Sequence, residues 1–331
     1  MFYIEQLDKI GITLPKRLAI IGGFSGGFKT TLGINIVYNN AINLGYYCCF
    51  LSLEMEEDEI MTRLLVRHAQ HNKFKKYNCV ITLDKVNKNN LTPVEKEFLL
   101  YTVAHDLKNN SRGKIIVLGP EDIPEIIQEG FDSFISKIDQ KLSPLFSNSK
   151  MKYLHLLIID YIQLLARFSR NLFPGISDPY QVVAHIVRQL RYITHAHNNG
   201  EGISIIALSQ LNRASYLSVK ERLRKFKQHN IYQDKKYENL FDLTSLSESS
   251  EIVNAADIVL TVYSDDFLKK GKRAVIQLLK NRFGETIEDG IEVHALPEIS
   301  YIGDFKQEDS GCPSAQEEMA IFINNLLNGS I

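Results

Sequence analysis

Four cysteines in 331 residues, with no C-x-x-C pair and no His/Cys spacing that suits zinc, exclude a disulfide framework and argue against a structural metal. Cys48, Cys49, Cys79 and Cys312 therefore read as core or incidental thiols of a reducing compartment. Long apolar runs are missing too: no stretch approaches the roughly 18 uninterrupted apolar residues of a membrane span. The start, MFYIEQLDKI, carries acidic residues in place of an export signal, so a soluble, unexported chain with no membrane partner is expected. An excess of one charge is also absent. Lys and Arg number 38 against 39 Asp and Glu, a formal net charge of −1, which excludes a general basic coat and makes any polyanion site local. What is present is a 44% hydrophobic composition, sufficient for one large domain or one domain with sizeable insertions.

From Arg17 the order is a short apolar run (RLAIIGG), a glycine cluster (FSGGFKTT), a helical pattern (LGINIVYNNAINLG) and another apolar run (YYCCFLSLEM). That is strand, loop, helix, strand, the opening of a parallel βαβ sheet, with Gly45 closing the helix. Further buried strands are expected in KIIVLG, YLHLLIID, ISIIALSQ, DIVLTVY and AVIQLLKNR, each short, rich in β-branched residues and bounded by polar or turn residues. PYQVVAHIVRQLRYITHAH is the clearest helix, with Val182, Ile186, Leu190 and Ile193 at helical spacing. The Lys- and Asn-rich stretch 72–112 reads as an insertion, with a helix in LTPVEKEFLL capped by Thr92 and opened by Pro93. Residues 214–240 mix charges with aromatics and read as a mobile loop. A polar tail from 304 carries a short amphipathic helix, EEMAIFINNLL.

GGFSGGFKTT fits the phosphate-loop pattern G-x-x-x-x-G-K-S/T from Gly23 to Thr30, with Phe28 in the place of the last glycine. The loop expected to hold ATP runs through Gly23, Phe24, Ser25, Gly26, Gly27, Phe28, Lys29, Thr30 and Thr31. Backbone amides converge on phosphate oxygens, the helix N-terminus adds positive potential, Lys29 neutralises β/γ charge and the Thr30 hydroxyl ligates Mg2+. The alternative is a glycine-rich turn that happens to precede Lys-Thr. Such a site needs one acid beside the Mg2+ and another that orients or deprotonates the attacking water. Asp160 ends LLIID and Glu54 follows FLSL, both where parallel strands deliver side chains to the ligand edge; Asp160 is the metal-side acid and Glu54 the general base. Glu54 also fits a helix N-terminal acid, as Glu56, Glu57 and Asp58 do. Gln210, ending IIALSQ, is placed to contact the γ-phosphate, or to be a polar strand cap. His185, His195 and His197 lie round one helix without a carboxylate at ligand spacing, so surface roles are favoured over metal.

In order across most of the chain, these segments resemble the ATPase domain of the bacterial and phage replicative DNA helicases, the DnaB type, with a RecA-like P-loop α/β core. FLSLEM looks like the family's catalytic-glutamate segment, LLIIDYIQLL its Walker B segment and IIALSQLNRA its sensor segment. SLSESSEIVNAADIVLTVY resembles the stretch that follows, with Glu248, Ser249, Ile252, Ala256 and Asp257 in step. KNRFGET looks like the finger segment, which places Lys280 and Arg282 where the family inserts a Lys and an Arg into the neighbouring subunit's ATP site. The resemblance implies a homo-oligomer, with a hexamer among the options, and a cytoplasmic enzyme of a bacterial or phage-infected cell. Departures are Phe28 in the phosphate loop and Ser247 where the family commonly has arginine. With Met1 only a short segment upstream of the loop, the family's N-terminal helical domain and linker helix are expected to be absent.

The expected organisation is a RecA-like ATPase domain over 1–303 and the tail over 304–331. In the family, loops after the Walker B and sensor strands touch single-stranded DNA. Here those loops carry Arg167 and Arg170, then Arg213, Lys220, Arg222, Arg224 and Lys225, near Phe226 and Tyr232. Cations that follow phosphates beside aromatics that stack on bases suit a single strand; a solvated charged loop is the alternative. Three functions are thereby open: a ring motor on single-stranded DNA for a replication or mobile-element system, a nucleotide-gated module that binds a loader or accessory protein without unwinding, and a recombinase-type filament.

Overall fold

Aliphatic and β-branched runs become the centre of a nine-stranded sheet of order β3-β2-β4-β5-β1-β6-β7-β8-β9. In the computed structural model, which describes residues 2–10, 12, 14–109, 113–126, 134–146, 153–228, 239–246 and 250–305, the strands are β1 (Leu18–Gly23), β2 (Tyr47–Ser52), β3 (Lys114–Leu118), β4 (Leu156–Asp160), β5 (Ser204–Gln210), β6 (Ile258–Tyr263), β7 (Arg273–Asn281), β8 (Ile287–Leu296) and β9 (Tyr301–Gly303). The first six pair in parallel and the last three add an antiparallel extension. Every residue of β1, β2, β4 and β6 is buried, the pattern of strands covered on both faces. The sequence pattern marks β1 to β7 but not β8 and β9. The first half of β8 is exposed or half-buried and contains Gly290 at φ 81°, and β9 is three residues long, so neither shows an apolar run.

The two faces of the sheet carry separate apolar layers. On one, Leu32, Ile36 and Val37 of helix Lys29–Leu44 and Ile60 and Leu64 of helix Glu57–Ala69 pack on Ile21, Phe50, Ile158 and Leu208. On the other, Ile162 and Leu165 of helix Ile162–Phe168, Ile138 of helix Phe134–Phe146, and Val182, Ile186 and Leu190 of helix Pro179–Ala196 pack on Ile20, Leu51, Leu157 and Ile205. Helix Lys29–Leu44 stops where expected: Gly45 takes φ 75°, and the N–H groups of Gly45 and Tyr46 return to the carbonyls of Ala41 and Asn40.

The stretch read as an insertion folds into helical turns (Asn72–Tyr77, Leu83–Asn87, Pro93–Glu97, Phe98–Ala104, His105–Asn109). Phe74, Ile81, Phe98, Leu99 and Val103 join Val66 and Ala69 in a third small core. Thr92 and Glu95 form a reciprocal capping box with Pro93 in the first turn, as the sequence leads one to expect. His68, fully buried, ties this region to the body: its Nδ1 meets the Tyr38 hydroxyl at 2.8 Å and its Nε2 meets Asp106 at 2.9 Å. Burial pushes the His68 imidazole down to about 4, so it stays neutral. The stretch 214–240, expected as a loop, differs: helix Arg213–Gln228 occupies its first half, because Val219 and Leu223, four residues apart, bury against the core. Ser247, Glu248, Ser249, Tyr232, Cys312 and the expected tail helix lie outside the described residues.

Cys48 and Cys49 are buried free thiols and Cys79 is a half-buried one. Among the described residues no cluster of three or more His, Cys, Asp or Glu side chains could hold a metal, and no helix is long and apolar enough to cross a membrane.

Candidate nucleotide site

Four parallel strands, β2, β4, β5 and β1, lie side by side and end at one edge of the sheet. Register sets their last residues against each other, Ser52 beside Asp160 and Gly23 beside Gln210. The loop from Gly23 to Phe28 leaves β1 there and feeds helix Lys29–Leu44, so the helix N-terminus faces the same edge. Gly26 takes φ 69°, a left-handed conformation, and a Cβ on Gly23 would stand 2.7 Å from the Lys29 side chain. Ser25 and Gly26 are exposed, while Gly27 donates to the Phe24 carbonyl at 3.0 Å and Thr31 is buried. Phe28 adopts φ 69°, ψ 16°, the left-handed conformation that glycine takes without steric strain, here with a side chain attached.

Lys29 is buried, and its ammonium donates to the carbonyls of Gly23 (2.7 Å) and Phe24 (2.9 Å). Burial lowers its pKa, while Asp160 and Glu54 support the charged form. The Thr30 hydroxyl donates to Asp160 Oδ2 at 2.7 Å. Burial pushes the Asp160 carboxyl up to about 6, the Thr30 bond and the Lys29 charge pull against it, and Glu54 adds to the rise. A hydroxyl and a carboxylate, both hard oxygen donors held against each other beside a buried lysine, suit Mg2+ better than a softer ion.

Glu54 is exposed, on the turn after β2. That turn is fixed by Ser52, whose hydroxyl donates to the Met55 carbonyl (2.6 Å) and accepts the Met55 N–H (3.2 Å), and by the Leu53 N–H donating to the Asp160 carbonyl (2.8 Å). Gln210 is half-buried, and its N–H reaches Gln163 Oε1 at 3.4 Å. Gln163 is buried, and its amide also donates to the Ser209 hydroxyl at 3.0 Å, tying the end of β5 to the helix that follows Asp160.

Lys280 and Arg282 are not at this edge. β7 runs antiparallel to β6, with Ile258 opposite Asn281, so both residues lie at the other end of the sheet. Lys280 donates to the Val253 carbonyl (2.6 Å) and Arg282 to the Asn254 carbonyl (3.0 Å). Arg282 and Arg191 both pair with the buried carboxylate of Asp257, at 3.6 and 2.9 Å, and Asp257 also accepts the Leu18 N–H at 3.0 Å. Leu18 begins β1, so the length of that strand, about 17 Å, separates this cluster from the phosphate loop of the same chain.

Arg167 and Arg170 are exposed on the segment after β4, with Arg170 donating to the Ser177 carbonyl at 3.4 Å. Arg213, Lys220 and Lys225 are exposed on helix Arg213–Gln228; Lys225 pairs with Glu221 at 2.9 Å and Arg222 donates to the Asn239 carbonyl at 2.5 Å. The side chain of Arg224 lies outside the described residues. Phe24 of the phosphate loop meets Tyr216 of this helix edge-on, 4.9 Å between ring centroids, and Phe241 at 5.6 Å.

Sequence reasoning missed Arg63, whose charge reaches Asp160 from helix Glu57–Ala69, and Gln163. The histidines have protein neighbours: His195 meets Arg191, His185 lies against Phe173, and His197 has a carboxylate beside it that the sequence did not show, Asp139 at 3.1 Å.

Comparison with known proteins bears on the family and the fold. Residues 3–299 match the family model described as the DnaB-like helicase C terminal domain. A curated relative, "Replicative DNA helicase DnaB" of Geobacillus stearothermophilus, is 27% identical over 266 residues; the match covers 80% of this chain and 47% of that protein, so the chain spans about half of the relative's length. Among solved structures, one described as an ATPase domain superposes with a TM-score of 0.63 at 18% identity, covering 92% of this chain and 91% of that one. A DnaB-like replicative helicase, described with its interactions with primase, gives 0.62 at 18% identity, covering 92% and 63%. The nine-stranded sheet is thus the RecA-like sheet of these ATPase domains, and the chain belongs to the DnaB-like helicase C-terminal domain family.

Proposed function

We propose that this chain hydrolyses ATP at the Lys29–Thr30–Asp160 site and uses the cycle to move on single-stranded DNA as a ring oligomer, in DNA replication or a mobile-element process. The observation that carries the reading is the pairing of the Gly23–Thr30 loop, with Lys29, Thr30 and Asp160 gathered at one sheet edge, with Lys280 and Arg282 about a strand length away at the other. Two cations that cannot reach their own site suit a head-to-tail ring in which each protomer supplies them to the next.

Within that reading the loop amides and Lys29 bind and orient the phosphates, and Thr30 and Asp160 hold Mg2+. Bound Mg2+ neutralises phosphate charge and polarises the terminal phosphoryl group. Glu54, exposed on its braced turn, orients the attacking water and takes its proton. Gln210 senses the terminal phosphate beside Gly23. Arg167, Arg170, Arg213, Lys220 and Lys225 offer exposed charge to a strand of phosphates, and the Phe24–Tyr216 contact gives the phosphate loop a mechanical link to the basic helix.

A second reading, a nucleotide-gated module that engages a loader or accessory protein without unwinding, draws on Phe28, whose side chain occupies the loop position that glycine normally leaves clear. Steady-state ATP hydrolysis with and without single-stranded DNA, beside Lys29→Ala, separates the two. Strong DNA stimulation lost in Lys29→Ala supports the motor; hydrolysis that is absent or indifferent to DNA sinks it and favours the module.

A further inference from the structure

The phosphate loop departs from its motif at one residue, and a lysine from a distant part of the chain stands against that residue. The Phe28 ring lies 5.7 Å from the Lys269 ammonium. The same ammonium is 3.8 Å from where a Cβ on Gly26 would stand, and apart from the loop residues on either side no other atom of the described residues lies within 4 Å of that point. Strand pairing accounts for the placement: β6 runs beside β1 with Val262 opposite Gly23, and Lys269 sits on the helical turn Asp266–Lys270 that follows β6. The turn is anchored, since Asp265 accepts the Leu268 N–H at 2.9 Å and Leu268 is fully buried. Lys269 itself is exposed and makes no ion pair among the described residues.

We propose that Lys269 is a second cation of the nucleotide site from the same chain, held at the lip of the loop by the Phe28 ring, and that it contacts the polyphosphate of a bound nucleoside di- or triphosphate. The assignment rests on the phosphate-loop reading above. Lys29 works from beneath, buried and bonded to loop carbonyls; Lys269 approaches from solvent, across the glycine with no side chain to obstruct it. An aromatic face attracts an ammonium and keeps its flexible four-carbon stem near the loop, so less freedom is lost when it reaches a phosphate oxygen. Phe28 then supplies a platform that glycine could not, which offsets the strain of its left-handed backbone.

Calorimetric titration of the full chain with Mg·ADP and with a slowly hydrolysed Mg·ATP analogue tests this. Lys269→Met is expected to raise Kd about tenfold for both ligands, Lys269→Arg to stay within about twofold of the starting chain, and the difference to shrink as salt is raised. Because Lys269 is exposed, its melting temperature should not change. In a Phe28→Ala background the same Lys269→Met change should cost less. Tight binding by Lys269→Met overturns the assignment. Binding that is lost in Lys29→Ala but kept in Lys269→Met removes Lys269 alone, whereas a starting chain that holds neither ligand overturns the phosphate-loop reading and this one with it.

Discussion

At position 28 the backbone is left-handed, where an L side chain costs about 1–2 kcal/mol and glycine costs nothing sterically. Phe28 is half-buried and packs against the apolar layer under helix Lys29–Leu44, so removing its ring also loses packing. Comparing Phe28→Gly with Phe28→Ala isolates the backbone contribution, since both lose the ring. The glycine variant is expected to be the more stable by about 1 kcal/mol in chemical denaturation; equal stabilities would show that residue 28 is not left-handed in solution. Asp160 gives a pH prediction. An unfolded aspartate titrates near 3.9, whereas burial holds this one at about 6, so between those values the native chain keeps a proton the unfolded chain has released. The stability this protonation confers is present at acid pH and is lost as pH rises through about 6. Mg2+ needs the ionised form, so Mg2+-dependent nucleotide affinity is expected to fall more steeply below about pH 6 than protonation of the nucleotide's own phosphate accounts for, and Asp160→Asn should remove that excess. That Lys29, Thr30, Asp160, Glu54 and Gln210 gather at one sheet edge was legible in the sequence, because each lies within a residue or two of a strand or loop whose signal is local. Arg63, Gln163 and Lys269 were not, because their places follow from which strands are neighbours, and no local spacing encodes that.

Elements with a single strong local signal were read correctly, and those stabilised by neighbours were not. Strands β1 to β7 announce themselves as apolar runs, while β8 is half exposed and is held by its pairing with β7. Helix Arg213–Gln228 was hidden by its charge, since its buried stripe rests on residues as sparse as Val219 and Leu223. The capping box at Thr92 was visible because cap chemistry is strictly local. Thr92→Ala removes the oxygen that accepts the Glu95 N–H at 3.2 Å and is expected to cost about 1 kcal/mol. The loss should appear as faster amide exchange across residues 83–109 with nucleotide affinity unchanged. Weakened nucleotide binding instead would mean that this small helical region is coupled to the site, a route that the Tyr38–His68–Asp106 chain makes physically available.

For the molecule as a whole, the two ends of one sheet carry what the proposed function takes as complementary halves of a reaction centre. The phosphate loop faces one edge, and Lys280 and Arg282 face the other, where Asp257 and the carbonyls of Val253 and Asn254 hold them. A single chain cannot fold one end onto the other, because the intervening strands are buried and rigidly paired. The proposed function therefore makes hydrolysis a property of neighbouring copies, and its most direct test is complementation. Lys29→Ala lacks a working phosphate loop and keeps its arginine; Arg282→Ala keeps the loop and lacks the arginine. Each variant alone is expected to hydrolyse little ATP, and an equal mixture to recover about a quarter of the activity of the unaltered chain, the share of head-to-tail contacts that join an intact loop to an intact arginine. A mixture as inactive as its components, or full activity in Arg282→Ala alone, would contradict a site completed by the neighbouring subunit.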